Sequence, residues 1–322
     1  MKHAALIGAG RMGRGLAHVF AWAGWRVSLI DAKERSRPDA DALLDEAIAA
    51  VRGSIGLMTG FHGLPEARAA EIAGRIRTCA RLDMANALAD ADLVMEGVPE
   101  TLDAKQEALG EASRLAQDTI IASTTSTILS TDLAGFVARP ERFLNAHWLN
   151  PAFLIPVVEV SPHPGTDEAV TEKLIGWLEA MGKTPVRCAP SPGFIIPRIQ
   201  ALAMNEAARM AGEGVASPED IDRAIRDGFG ARFAVLGLLE FIDWGGVDIL
   251  HHASRYMTGA TGEDRFAAPA VIGEMMEDGR RGLDAGQGFY DHRGIDTDAY
   301  RAERLKAFFD ILGLKGLTPP PV

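Results

Sequence analysis

The chain has 322 residues, 47% hydrophobic and 24% charged, a composition that suits one or two globular domains and excludes disordered, collagen-like and disulfide-scaffold classes. Acidic residues outnumber basic ones by 44 to 33, a formal charge of −11, so no basic surface awaits nucleic acid or an anionic membrane. Two cysteines, Cys79 and Cys188, make neither a disulfide framework nor a CxxC site, and the longest apolar runs fall short of the roughly 20 residues of a membrane span, so a cytoplasmic, metal-free protein is expected.

The first elements form one unit. His3 to Gly8 reads as a strand, Gly8 to Gly15 as a glycine-rich turn, Leu16 to Gly24 as a helix and Trp25 to Asp31 as a second strand, which together make a βαβ unit. Gly8-Ala9-Gly10-Arg11-Met12-Gly13 fits the GxGxxG pattern in that context. The first glycine permits the tight turn, the second lets backbone approach a pyrophosphate, and the third lets helix pack on strand. Asp31 ends the next strand, about 20 residues on, where a carboxylate accepts both ribose hydroxyl hydrogens of adenosine. NAD is therefore the expected cofactor, held by Gly8, Gly10, Arg11, Met12, Gly13 and Asp31, and a 2′-phosphate would meet a like charge at Asp31. Arg35 and Arg37 stand close enough to soften that preference. The plainer reading is a glycine turn that only joins two elements, with Asp31 a capping carboxylate.

Helical spacing over Asp39 to Val51 and over Pro65 to Ile76, with four glycines between, predicts a helical hairpin. Strands follow at Asp90 to Glu96, Thr119 to Ser123, Arg142 to His147, Val157 to Ser161 and Thr184 to Cys188. Helices over Leu102 to Leu115, Ser130 to Val137 and Ala169 to Met181 lie among them, an alternation that predicts an α/β fold with a parallel, doubly wound Rossmann-type sheet. The cluster Ala189-Pro190-Ser191-Pro192-Gly193 divides this domain, 1–189, from a second one, 190–322. Helical stretches over Phe194 to Gly212, Ser217 to Gly228, Ala234 to Trp244, Val247 to Met257 and Ala270 to Asp278 make the second domain all-α, and Pro319-Pro320-Pro321 reads as a frayed end.

His147 closes a strand, and Glu159 lies in the next apolar stretch, Pro156-Val157-Val158-Glu159-Val160. A histidine at a strand's C-terminal end points into the crevice where doubly wound sheets bind ligands. Alcohol oxidation needs a base for the hydroxyl proton; histidine titrates near working pH, and a carboxylate orients it and stabilises the imidazolium. Spacing alone leaves open a packed histidine and a carboxylate that never touches it.

The sequence resembles the L-3-hydroxyacyl-CoA dehydrogenase family over nearly its whole length, through Gly8 to Gly15, Val98-Pro99-Glu100, Ser123-Thr124-Thr125-Ser126, His147-Trp148-Leu149-Asn150-Pro151 with Glu159, Pro192-Gly193-Phe194 and Gly286-Gln287-Gly288-Phe289-Tyr290. The resemblance implies that His147 is the general base and Glu159 its partner. It also implies that Ser126 hydrogen-bonds near the reacting oxygen, that Asn150 helps hold that site and the nicotinamide, and that Glu100 and Lys105 fall near the cofactor. A small-molecule 3-hydroxyacyl-CoA substrate and a homodimer formed through the helical domain follow from it too. The apolar helix residues Leu236, Leu238, Leu239, Phe241, Ile242 and Trp244 also suit a plain core.

Three departures bear on substrate. Pro197 stands where the family commonly has asparagine, the stretch Asp39 to Arg52 carries carboxylates where acyl-CoA-specific members carry lysines, and Gly282 to Ala285 lacks the lysine relatives often place there. Gly228-Phe229-Gly230-Ala231-Arg232 instead resembles the Gly-x-Gly-x-Arg segment of branches acting on free hydroxy acids, the L-gulonate dehydrogenase (lambda-crystallin) and L-carnitine dehydrogenase branches. Arg232 either grips a substrate carboxylate or closes a salt bridge between helices. The substrate is thus a 3-hydroxyacyl-CoA or a free small 3-hydroxy acid, and a non-catalytic NAD-binding structural protein is the remote third reading.

Overall fold

The computed structural model describes residues 1–116, 118–318 and Pro320; Pro319 and Pro321 of the expected frayed end lie outside the described residues. The chain divides into two compact units, Met1–Met204 and Asn205–Val322.

The first unit is built on β1 (His3–Ile7), β2 (Arg26–Ile30), β3 (Ile76–Cys79), β4 (Leu93–Glu96), β5 (Ile120–Ser123), β6 (Phe143–Trp148), β7 (Val157–Pro162) and β8 (Thr184–Arg187). They form one eight-stranded sheet in the order β3-β2-β1-β4-β5-β6-β7-β8. The central strands β1, β4 and β5 are buried along their whole length, which is why they read as continuous apolar runs. Alternate residues of β1 supply opposite faces: Ala4 and Leu6 enter the core with Phe20, Val27 and Trp148, whereas Ala5 and Ile7 enter the one with Val94, Leu109 and Phe143.

The sheet is parallel except at one junction, β6 with β7, which run antiparallel and place His147 directly opposite Glu159. β3 was not foreseen from the sequence; it is a four-residue edge strand beside β2, and only Ile76 is buried in it. The first helix, Arg11–Trp22, begins earlier than Leu16, because Gly10 already serves as its N-cap and Gly13 and Gly15 lie inside it. The hairpin's first arm is longer than expected and runs as one helix over Arg37–Phe61, through Gly53, Gly56 and Gly60. Each interior glycine costs about 1 kcal/mol relative to alanine. The buried stripe Ala40, Leu44, Ala47, Val51, Ile55 and Thr59 at helical spacing offsets that cost. The first unit extends beyond the Pro/Gly cluster into the helix Ile196–Gly212, because Ile195 and Ile196 donate their N–H groups back to Glu159 of β7.

The second unit is helical. Pro218–Ala224, capped by Ser217 accepting from Asp220 N at 3.2 Å, passes through a π turn at Ile225–Phe229 into Gly230–Phe233, and Leu238–Gly245, Val247–Thr261 and Ala270–Glu277 follow. The last helix, Thr297–Leu314, was not anticipated, since it buries no residue and so carries no apolar stripe to read. Leu236 is buried, but Leu238 and Leu239 remain exposed rather than filling the core.

Asp243 is the clamp of this unit. Its buried carboxylate accepts from Phe289 N, Tyr290 N and His292 Nε2, each at 2.9 Å, and a Cβ on Gly288 would lie 2.1 Å from Asp243 Oδ1. The Gly286 to Tyr290 motif is therefore a backbone seat for one carboxylate. Asp243→Ala strands three donors, one of them on buried His292, and is expected to destabilise this unit by about 3 kcal/mol, read as a lower thermal midpoint by circular dichroism. An unchanged midpoint would contradict the clamp.

Candidate active site

Three groups of residues stand at the carboxyl ends of the strands of the first unit. The first is the glycine loop. Gly8 has φ +113°, and a Cβ there would lie 2.6 Å from Gly97 O; a Cβ on Gly13 would lie 1.8 Å from Gly8 O. A Cβ on Gly10, by contrast, would meet nothing within 4 Å. Two glycines are thus required by the protein's own packing, and the second leaves an opening. The Arg11–Trp22 helix starts there with no side-chain cap and no acidic residue in its first turn, so its N–H groups and positive dipole end are available to an anion. A cavity of about 350 Å³ joins Gly8, Gly10 and Arg14 to Asp31 and Arg35. These residues fit a dinucleotide, with the pyrophosphate at Gly10 and the adenosine ribose at Asp31.

Asp31, nearly buried, accepts Arg35 Nε at 2.9 Å on Oδ2 and its own turn's Lys33 N at 3.1 Å on Oδ1. Arg35 is therefore paired with Asp31 itself, the carboxylate expected at the ribose. Arg37 is turned elsewhere, to Asp41 at 3.0 Å and Asp83 at 3.2 Å. The side chains of Arg11 and Met12 follow Gly10 at the open helix start.

The second group is the pair the antiparallel register creates. His147 Nδ1 lies 2.7 Å from Glu159 Oε2, both side chains buried. A carboxylate only accepts, so this contact assigns the proton to Nδ1 and leaves Nε2 as the acceptor. The other carboxylate oxygen, Oε1, accepts Ile195 N and Ile196 N, both at 2.8 Å. Gly193 at φ +74° and Phe194 at φ +44° turn the chain so that those two donors face β7, and the Phe194 ring stacks on His147 with centroids 5.6 Å apart. Sequence reasoning did not find this seat for Glu159; a Pro-Gly-Phe turn just before a helix was its one available signal.

The third group surrounds Glu100. Its Oε1 accepts Ser126 N at 2.9 Å, Thr127 N at 3.1 Å and Thr127 Oγ1 at 3.1 Å, along with the Thr125 hydroxyl and, at 3.5 Å, Ser126 Oγ. Burial alone would raise its pKa, but the Thr125 hydroxyl, the Lys105 ammonium and the Thr127 N–H outweigh burial and hold it at about 2. Lys105 is wholly buried and reaches the site through Glu100, whose Oε2 is 3.2 Å from its Nζ. Asn145, two residues before His147 on β6, ties down the far side of the same loop by donating to Ile128 O at 2.9 Å. Asn150 is exposed and lines a separate cavity with Arg11, Arg14 and Gly15, in the turn after β6.

Arg232 belongs to the second unit. No carboxylate pairs with it among the described residues; its guanidinium lies over the Phe241 ring at 4.8 Å, a cation–π contact in place of the salt-bridge alternative. It borders a cavity of about 460 Å³ with Phe241, Trp244 and Phe308. Asp227, on the same rim, is engaged by Lys315.

Among known proteins, residues 3–191 match the NAD-binding domain of 3-hydroxyacyl-CoA dehydrogenase and residues 193–292 its C-terminal domain. The 5-formyl-3-hydroxy-2-methylpyridine 4-carboxylate 5-dehydrogenase of Mesorhizobium japonicum is 30% identical over 308 residues, 95% of this chain and 96% of that one. The lambda-crystallin homolog of Bos taurus is 34% identical over 257 residues, 79% of this chain and 78% of that protein. The crystal structure of a 3-hydroxyacyl-CoA dehydrogenase from Archaeoglobus fulgidus has a TM-score of 0.76 at 32% identity, covering 98% of this chain and 100% of that one.

Asp31→Ala removes the expected ribose acceptor and frees Arg35 from its partner. Titration should show NAD binding weakened by about tenfold and the gap between NAD and NADP narrowed. A variant that binds both as the parent does would place the adenosine end elsewhere.

Proposed function

The chain belongs to the 3-hydroxyacyl-CoA dehydrogenase family, NAD-dependent enzymes acting on CH–OH groups, and from that premise we propose that it oxidises the 3-hydroxyl of a small L-3-hydroxyacyl compound to the 3-oxo product with His147 as the base. The observation that carries this reading is the buried 2.7 Å contact from His147 Nδ1 to Glu159, which leaves Nε2 without a partner among the described residues. NAD, when bound, supplies the hydride acceptor. His147 Nε2 takes the hydroxyl proton, and Glu159 holds the ring in the productive tautomer and stabilises the imidazolium that results. The two backbone donors on its other oxygen keep that carboxylate fixed while the charge moves. The Ser126 hydroxyl, on a loop anchored by Glu100 and Asn145, hydrogen-bonds the reacting oxygen, whereas the role for Asn150 at the nicotinamide rests on the family resemblance alone.

Three features favour a free carboxylate over a CoA thioester. Arg232 is an exposed guanidinium without an acidic partner among the described residues, on a mainly apolar cavity that includes Phe241, Trp244 and Phe308. The helix Arg37–Phe61 presents Asp39, Asp41, Asp45 and Glu46, a poor surface for CoA phosphates. The Mesorhizobium relative is named for a carboxylate substrate. A homodimer accords with the apolar side chains that the second unit exposes, among them Leu239, Ile249 and Tyr256.

His147→Gln should keep NAD binding and lower turnover by about 10²- to 10⁴-fold in the 340 nm assay. Undiminished turnover would remove His147 from the chemistry. For the substrate, Arg232→Met should lower kcat/KM for small 3-hydroxy acids by about tenfold or more, with 3-hydroxybutyryl-CoA a poor substrate of both proteins. Efficient parental turnover of the thioester, with none of the free acids, would reverse the substrate assignment and leave the dyad standing.

A further inference from the structure

Beneath the Ser126 loop lies a charge cluster that the dyad does not use. Glu96, the last residue of β4, has no exposed surface. Its carboxylate accepts Val98 N at 2.7 Å, Ser123 Oγ at 2.5 Å and Lys105 Nζ at 3.1 and 3.2 Å. Lys105, equally buried, bridges from there to Glu100 at 3.2 Å. Two carboxylates and one ammonium leave one uncompensated negative charge, and the exposed end of the cluster is Glu100.

The sheet order says what that charge faces. The residues that fit the adenosine end of the cofactor, the glycine loop and Asp31, stand at β1 and β2, while His147 stands at the end of β6. β4 and β5 lie between them, so a dinucleotide that runs from Asp31 toward the dyad carries its nicotinamide half over the ends of β4 and β5.

We infer that Glu96, Lys105 and Glu100 act together as a redox-state selector, whose net negative charge favours the cationic nicotinamide of NAD over the neutral ring of NADH. Charges inside the protein are screened far less than in water, so one net charge there distinguishes two ligands that differ by one charge. Glu96 is a positioning residue: it holds Lys105, and Lys105 holds Glu100. A site of this kind loads the oxidised dinucleotide and releases the reduced one. The inference rests on NAD binding in this fold and is independent of the substrate.

The test is titration of the intact chain with NAD and with NADH, read by calorimetry and NADH fluorescence. Glu96→Gln keeps the shape of the side chain and brings the cluster to neutrality, so the preference for NAD over NADH should fall by about fivefold. The double variant Glu96→Gln with Lys105→Met removes one charge of each sign and should return the preference to that of the parent. A purely structural Glu96 would weaken both ligands alike. Equal loss of both affinities in Glu96→Gln, or a double variant that fails to recover the preference, would overturn the selector. Should Glu96→Gln not fold, Glu100→Gln makes the same change of net charge at the half-buried end and must shift the ratio in the same direction; an unchanged ratio there overturns it as well.

Discussion

The arrangement of the candidate site depends on one buried carboxylate. Glu159 is inside the protein, where an uncompensated anion is very costly, and the chain around it is organised to leave neither oxygen bare. One oxygen takes His147; the other takes the N–H groups of Ile195 and Ile196. Those two donors belong to the start of the helix Ile196–Gly212, whose first N–H groups have no partner within the helix. Pro197 follows them without loss, since proline has no N–H to satisfy. The requirement on Glu159 therefore accounts for the antiparallel turn of β7, the left-handed backbone of Gly193 and Phe194, and the position of the ring stacked on His147.

The same economy of partners recurs along the strand ends. Asp31 is matched by Arg35, Glu96 by Lys105 and Glu100 by Lys105 together with the Ser126 loop, so each charge is held by contacts that also fix a neighbouring loop. Parallel strands end in free backbone groups and in the dipoles of the helices that follow, and buried charge there orders loops that would otherwise be loosely held. The histidine stands on β6, which meets β7 at the sheet's one antiparallel junction among the described residues.

What could be read from the sequence was what lies close together in the chain. The Gly8 to Gly13 loop and Asp31 fall within one βαβ unit, so their spacing carries their geometry, and the continuous apolar strands announce a sheet covered on both faces. The contact of His147 with Glu159 is different: two strands can pair in several registers and either direction, and only the resemblance to a family pointed to it. Hidden entirely were contacts between distant residues that leave no periodic mark. The seat of Glu159 at Ile195 and Ile196 uses backbone atoms, the glutamate of Leu93-Val94-Met95-Glu96 looks like the end of an apolar strand, and the helix Thr297–Leu314 has no apolar stripe. Arg232 read as either a carboxylate grip or a salt bridge; no sequence pattern distinguishes those from a guanidinium laid on Phe241.

The central claim is that Glu159 fixes the proton on His147 Nδ1 and leaves Nε2 open as the base. Nitrogen-15 NMR of the histidine side chains, with His147 assigned by substitution, reads this directly. The account predicts, for the neutral ring, a protonated Nδ1 and a bare Nε2, with that distinction lost in Glu159→Gln. A parent protein whose His147 carries its proton on Nε2 would contradict it.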